Sequence, residues 1–389
     1  MLLLQDELEI PKRRASPCRV VPFCPGDEAR VAELQRHLWS PDTQLNSAYL
    51  KWKYFQNPYI REPLVYLAFV GDKLAGMRGA FGMRWEVGDP AEILTLPHPD
   101  DLVIDPVFRE RGLHRVIMNF AFDDLAKRGY RYVVNLSAGE ITHHASLNMQ
   151  WRKAGGMMLV RRRTLRKALA DAVAGRMRHL PWVWRWANDF PGLGGAWGDR
   201  LFRRFDRRWA SPARSRRPGA LFAQATPLLR DMEQLVARLP RSGRIRHVRD
   251  QAYFGWRFRN PLRSYRYLYA GGDRIEGYLV LQRPLSGNVD QVSIVDWEAQ
   301  SEPVLEALLD AAIEHGQFPA LCAWRLGASP AVGRILDRHG LTPVKSRHEY
   351  GILVRSVRNA ELDEPWMLGN RPLDDGSQWD MRMIYSMAG

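Results

Sequence analysis

Hydrophobic positions along this chain recur with two periods, and the periods alternate in a fixed order. "VYLAFVGDKLAGMRGAF" (65–81) is two apolar runs around a "GDK" turn, which predicts a β-hairpin, with Gly71 and Asp72 suited to the reversal. "DDLVIDP" (100–106) predicts a short buried strand stopped at Pro106, which cannot continue a ladder. Leu113, Ile117, Phe120, Ala121 and Leu125 follow at spacings of three and four, the apolar face of a helix that Gly129 can end.

The pattern then returns. "YLKWKYFQNP" (49–58) comes back as "YFGWRFRNP" (253–261), and "YLAFVGDKLAG" (66–76) as "YLYAGGDRIEG" (267–277). A strand-then-helix pattern precedes each copy, in "RVVPFCPGDEARVAELQ" and "ALFAQATPLLRDMEQL". After each come a strand, a helix, a strand and a predicted short helix ending in glycine, "QWRKAGG" (150–156) and "ILDRHG" (335–340). Matched elements in one order imply a duplication. We therefore read an α/β chain with mixed sheets: a first domain over 1–160, an insertion over 161–217 and a second domain over 218–389.

Composition changes this picture only in the insertion. The chain of 389 residues carries a net charge of +14, but 161–217 holds 16 Lys/Arg against 4 Asp/Glu, and the rest is close to neutral. Five of the 14 tryptophans also fall there: Trp182, Trp184, Trp186, Trp197 and Trp209. Leu165, Leu169, Val173, Met177, Leu180 and Trp184 form one helical stripe, and Trp197, Leu201, Phe202, Phe205 and Trp209 another, with arginines opposite. Such basic amphipathic helices suit an anionic membrane surface or an acidic acyl carrier protein, while the plain alternative packs the stripes on the two domains. Nucleic acid is not expected, because no recognition motif accompanies the charge. Three cysteines without paired spacing fit a reducing cytoplasm and give no metal site, and neither a leader peptide nor a membrane-spanning run is expected. A cytoplasmic protein, peripheral at the inner membrane face if the insertion binds lipid, is the expectation.

The chemistry concentrates in "RERGLHR" (109–115), between a strand and a long helix. A helix N-terminus presents unpaired N–H groups, Gly112 allows close backbone approach, and Arg109, Arg111 and Arg115 add positive charge, so a pyrophosphate fits. Strand, "V/I-x-P", Arg109-x-x-Gly112, long helix, strand: the series resembles the GNAT acyl-CoA N-acyltransferase superfamily, in tandem form, over 18–160 and more weakly over 218–357. The "W-K-Y-x-x-N-P" peptide is similar to one in bacterial tandem-GNAT proteins, some with surface polysaccharide or acyl-transfer roles.

The resemblance implies acetyl-CoA or another acyl-CoA as donor and a small-molecule amine as acceptor. It implies that Arg109, Glu110, Arg111, Gly112, Leu113, His114 and Arg115 surround the pyrophosphate. It also implies that Leu102 and Ile104 offer backbone groups to the pantetheine arm, with Asn135 beside the cleft. His114 stands where the family has a small residue, and Trp151 where it often has an acid tyrosine. Asp101 (with Asp100), His144 (with His143) and Glu140 are then the candidate acid–base groups. The second copy, "VDWEAQSEPVLEALLDAA", lacks both glycine and arginine in its loop; Glu298 and Glu302 near the helix start would repel a pyrophosphate. Two alternatives remain: a non-catalytic duplication that binds a lipid, glycan or protein, and a FemAB-like aminoacyl transferase.

Overall fold

The computed structural model describes residues 18–176, 191–209, 219–285, 291–344 and 351–387. The first copy runs β1 (Cys18–Pro22), α1 (Glu28–Leu34), α2 (Thr43–Leu50), β2 (Leu64–Val70), β3 (Lys73–Val87), β4 (Glu92–Ile104), α3 (Leu113–Lys127), β5 (Tyr132–Asn135), α4 (Glu140–Leu147), β6 (Arg152–Gly156) and β7 (Leu159–Arg163). Two helices follow, α5 (Leu165–Arg176) and α6 (Pro191–Arg208). The second copy runs β8 (Leu221–Gln224), α7 (Leu229–Arg238), β9 (Ile245–His247), α8 (Gln251–Arg257), β10 (Arg263–Gly271), β11 (Ile275–Pro284), β12 (Gln291–Ala299), α9 (Glu302–Gly316), β13 (Ala320–Trp324), α10 (Pro330–Arg338), β14 (Thr342–Pro343) and β15 (Gly351–Ser356).

Local chemistry accounts for the element ends. The Asp42 carboxylate accepts from the N–H groups of Gln44 (2.9 Å) and Leu45 (3.2 Å) and so caps α2. Gly71 reverses the β2–β3 hairpin at φ +58°, and Gly129 ends the α3 turn at φ +87°. The apolar face of α3 is buried through Leu113, Ile117, Met118, Ala121, Phe122 and Leu125. Two expectations need correction. The strand before Pro106 is 13 residues long rather than short. "QWRKAGG" is not a helix but contains β6, because Ala154–Gly156 must lie flat against two chains. Gly156 pairs with Gly351, and a Cβ on Gly155 would stand 3.0 Å from the Gly376 Cα.

The two copies trade strands. β1–β2–β3–β4 form an antiparallel sheet. β3 outruns β2 beyond the Leu64–Ala80 pair, and β9 of the second copy occupies that free edge, with His247 opposite Trp85. β15 of the second copy lies between β5 and β6 of the first. In return β7 of the first copy lies between β13 and β14 of the second. The position 160 proposed as a boundary thus falls inside a strand of the second copy's sheet.

The repeated tryptophan peptide clasps the copies at their centre. Trp52 and Trp256 stack with centroids 5.0 Å apart, and each indole N–H donates to the other's backbone carbonyl at 2.7 Å. In the first copy the peptide also carries a π-turn over Lys51–Phe55, closed by the Gln56 N–H on the Lys51 carbonyl.

The inserted helices behave differently from each other. α6 packs on the second copy: Phe202 and Phe205 are buried among Leu268, Leu279, Val292 and Phe318, Arg266 pairs with Asp206, and Trp209 packs on His315. α5 leaves its stripe in water, with Leu165 78 %, Leu169 60 % and Val173 56 % exposed. Met177, Leu180, Trp182, Trp184, Trp186 and the Trp197 side chain lie outside the described residues.

Candidate functional site

The loop after β4 is built by backbone geometry. The Asp105 carboxylate accepts from the Val107 N–H at 2.9 Å and starts a tight turn over Pro106–Phe108. Glu110 (φ +62°) and Gly112 (φ +75°) are both left-handed and swing the chain onto the α3 axis. A Cβ on Gly112 would meet nothing within 4 Å, so the space before the helix is open. No described side chain caps α3. The Arg115 N–H is taken by the Gly112 carbonyl at 3.1 Å, so the Leu113 and His114 N–H groups and the helix dipole face that space, the arrangement that attracts an anion. Leu113 is buried beneath. Arg109 donates through Nε to the Ile104 carbonyl (3.3 Å), and Arg111 donates to the Val107 carbonyl (3.2 Å) over the Phe108 ring. Arg115 turns the other way, into a cavity of about 480 Å³ with Asn119, Asn148, Gln150 and Arg355. His114 is half-buried, and burial with the Arg78 and Arg115 charges pushes its pKa down to about 4.

A cleft opens beside this helix. Among the described residues no ladder joins β4 to β5, which belong to separate sheets. In the second copy the corresponding β12 and β13 pair in parallel over Gln291–Ser293 and Ala320–Cys322. The far edge of β4, including Leu102 and Ile104, is thus left without a strand partner. β4 also bulges there: Val103 faces Met77 and Asp100 faces Gly79, leaving Asp101 and Leu102 against Arg78 alone, and Asp101 adopts φ +51°. Left-handed backbone at an aspartate is strained, and such strain persists only where surrounding bonds hold it.

Those bonds form a buried charge cluster. The Lys53 ammonium, fully buried, donates to Asp100 Oδ2 (2.7 Å), Asp101 Oδ1 (2.8 Å) and the Tyr49 hydroxyl (3.1 Å). Asp101 also accepts from the Tyr54 hydroxyl (2.7 Å) and the Trp39 indole (3.0 Å). The Ser137 hydroxyl, beyond the end of β5, donates to Asp100 Oδ1 at 2.7 Å and ties the two walls of the cleft together. Burial would lower the Lys53 pKa, but both carboxylates outweigh it and keep the ammonium charged. For Asp100 burial is likewise outweighed, here by Lys53, Ser137 and Arg78, and its pKa lies below the usual carboxylate value. For Asp101 burial and the neighbouring Asp100 charge prevail and raise it. Asp101 is 1 % exposed, so it positions Lys53 and Tyr54 and does not meet solvent; Asp100 is 7 % exposed.

The remaining sequence candidates spread out. Asn135 is buried, and its Oδ1 accepts from the Ser137 N–H at 2.9 Å, which shapes the turn that aims Ser137 at Asp100. Glu140 and His144 are exposed on α4. His143 is half-buried, and burial lowers its pKa. Trp151 is buried against Phe122, its indole N–H without a partner. Sequence reasoning missed Trp39, Lys53, Tyr54 and Arg78. "WKY" was visible, but as a repeat marker; its chemistry appears only once the π-turn and the β4 bulge meet.

In the second copy the matching region is closed. Asp296 on β12 binds Arg249 at 2.8 Å and accepts from the Tyr278 hydroxyl at 2.8 Å. Glu298, expected near the helix start, lies on β12 and pairs with the buried Arg249 and Arg382 guanidinium groups, which neutralise it within the fold. Glu302 does stand in the first turn of α9.

No family model matches the chain, and no curated protein resembles it in sequence. Solved structures do. A probable N-acyltransferase of Enterococcus faecalis matches with a TM-score of 0.56 and 10 % identity over 88 % of this chain and 72 % of that one. A GCN5-related N-acetyltransferase of Anabaena variabilis gives 0.51 and 13 % over 88 % and 73 %. A tandem GNAT protein from the clavulanic acid biosynthesis pathway gives 0.50 and 12 % over 88 % of this chain and 99 % of its own. With its duplicated order of elements, this chain is a tandem GNAT-fold protein.

Proposed function

We propose that the chain is an N-acyltransferase that takes its acyl group from acyl-CoA and passes it to an amine held between the two copies. One observation carries this reading. The uncapped start of α3, opened by left-handed Gly112, stands beside an unpaired β4 edge in the first copy only. The N–H groups around Gly112–His114 would hold the pyrophosphate, and Leu102–Ile104 the pantetheine arm. The cofactor supplies an activated thioester. Attack by a neutral amine forms a C–N bond and breaks the C–S bond, so one proton must leave the amine and one must reach the thiolate. Asp100, kept ionised by Lys53 and linked to Ser137, draws and orients the amine. Exposed Glu140 and His144, three and seven residues after Ser137, exchange protons with water.

The test is thermal unfolding with acetyl-CoA. Ligand at 100 times its Kd stabilises the folded state by about 2.7 kcal/mol, a rise of several degrees in Tm. A Gly112→Glu variant should fold but show no rise, because its carboxylate enters the anion space. No rise in the wild type, or an equal rise in both, rejects the donor site. A non-catalytic role is the second reading, favoured by Trp151, which cannot donate a proton where the family has tyrosine.

The partner proposal rests on α5. Its exposed Leu165, Leu169 and Val173 lie beside Arg161, Arg162, Arg163, Arg166 and Lys167, next to a cavity of about 440 Å³ bordered by Arg162, Arg166 and Arg204. An anionic membrane surface suits both features, and no described helix is long and apolar enough to cross a membrane. Co-sedimentation with anionic vesicles that weakens as salt rises supports it; no sedimentation at low salt turns the proposal to an acidic acyl carrier protein.

A further inference from the structure

Arg78 lies on β3, where β4 bulges away opposite it, and is 4 % exposed. Its guanidinium makes no hydrogen bond or ion pair with any described residue, and its Nε is buried without a partner. Each of the other buried arginines has at least one hydrogen-bond partner, so what sets Arg78 apart is the whole guanidinium and not its Nε alone, which Arg249 also leaves unpartnered. Arg249 binds Asp296, Arg257 binds the Ile384 and Ser386 carbonyls and Tyr265, and Arg355 binds the Met149 carbonyl and Asn359. Arg246 binds Glu86, Arg283 the Pro284 carbonyl and Arg382 Asp380. An unpaired buried cation is costly, so a fold that keeps one has a use for it.

The duplication supplies an independent control. The shift of 201 residues that relates the two hairpins puts Leu279 where Arg78 stands. Leu279 is fully buried in an apolar cluster, so the sheet itself needs no arginine at this position. The arginine occurs in the copy that has the Gly112 loop and the open cleft. Its titratable neighbours also belong to that site: His114 at the start of α3, and Asp100, Asp101 and Tyr54 at the bulge.

We propose that Arg78 is the receptor for a substrate carboxylate, in first place the terminal carboxylate of a dicarboxylic acyl thioester such as a succinyl group. This rests on the donor site proposed above. A thioester whose CoA phosphates sit at Gly112 brings its acyl end along β4 to the bulge, where the guanidinium waits. A carboxylate there completes the pairing that the protein leaves open, through two parallel N–H···O bonds of the kind arginine favours. No bond to Arg78 forms or breaks in the transfer; it selects the acyl group.

Calorimetric titration of the full chain with acetyl-CoA and succinyl-CoA tests this. The wild type should bind both, succinyl-CoA more tightly by about tenfold or more, the worth of one charge-assisted hydrogen bond. Arg78→Met should keep acetyl-CoA affinity, lose the succinyl advantage, and melt no lower than the wild type, since an unpaired buried charge is gone. Arg78→Lys should retain part of the advantage. Equal affinity of the wild type for the two thioesters, or an equal loss of both in Arg78→Met, overturns the inference and leaves the donor site standing. If the wild type binds the two thioesters equally, but glutarate competes with an amino-acid acceptor on the wild type and not on Arg78→Met, the carboxylate belongs to the acceptor and the acyl assignment is overturned. If neither thioester binds, the donor site falls and this inference with it.

Discussion

His247 lies fully buried among Trp85, Tyr253 and Tyr385, with neither ring nitrogen hydrogen-bonded, and burial holds its pKa well below the usual 6.5. His98, which accepts from the Trp85 indole at 3.0 Å, is pushed down to about 3 by burial. Both are neutral in the fold, whereas the unfolded chain binds their protons near pH 6.5. Their contribution to stability is therefore complete above pH 6.5 and is lost as pH falls below it, by up to about 1.4 kcal/mol per pH unit for each residue. His247→Phe removes a buried base without breaking a hydrogen bond. Its loss of stability between pH 7.5 and 5, by denaturant unfolding, should be about 2 kcal/mol smaller than that of the wild type; an identical loss in both would show that His247 already carries a proton in the fold. At this scale the sequence was legible where a residue acts through its own backbone, as at Gly71, Gly112 and Gly129. It was not legible for Lys53, Arg78 or Asp101, whose roles depend on partners tens of residues away.

Among the elements, α3 and the β2–β3 hairpin followed from their own periods, because each buries one face against the same copy. β7 and β15 did not. "LVRRR" and "GILVRS" say that these segments are extended, but not which sheet they complete, and only Met157 and Met158 separate β6 from a strand in the other sheet. The exchange has a measurable consequence. Residues 18–164 alone lack β15, so β5 and β6 lose the strand that lies between them, and β7 has no sheet to enter. This fragment should fail to unfold cooperatively and should expose its edges to aggregation. Co-expression with 219–387 should restore a soluble complex. A fragment that melts sharply by itself would mean that the first copy can close its sheet with its own β7.

Across the whole molecule the copies share one interior. Trp52 and Trp256 are each other's stacking partner and each other's hydrogen-bond acceptor, and the stretch Trp379–Asp380 runs parallel to β9 on the edge of the first sheet. Trp52→Ala should cost about 3–5 kcal/mol. The double change with Trp256→Ala should cost less than the sum of the single changes, because either one already removes the stack. One unfolding transition is expected for the intact chain; two separate transitions, or strict additivity, would mean that the clasp is not shared.

The duplication, the fold class and the Arg109–Gly112 loop were determined by the sequence itself, since each rests on periodicity or backbone preference within a short window. The α6 stripe was equally visible there, but whether it met lipid or protein was not, because an amphipathic face states only that it needs cover. Three decisions came with the tertiary structure: which copy keeps its cleft open, which strands cross over, and where Arg78 is left unpaired. Each depends on charges and edges brought together from distant parts of the chain, and in a dry interior a missing partner matters as much as a present one.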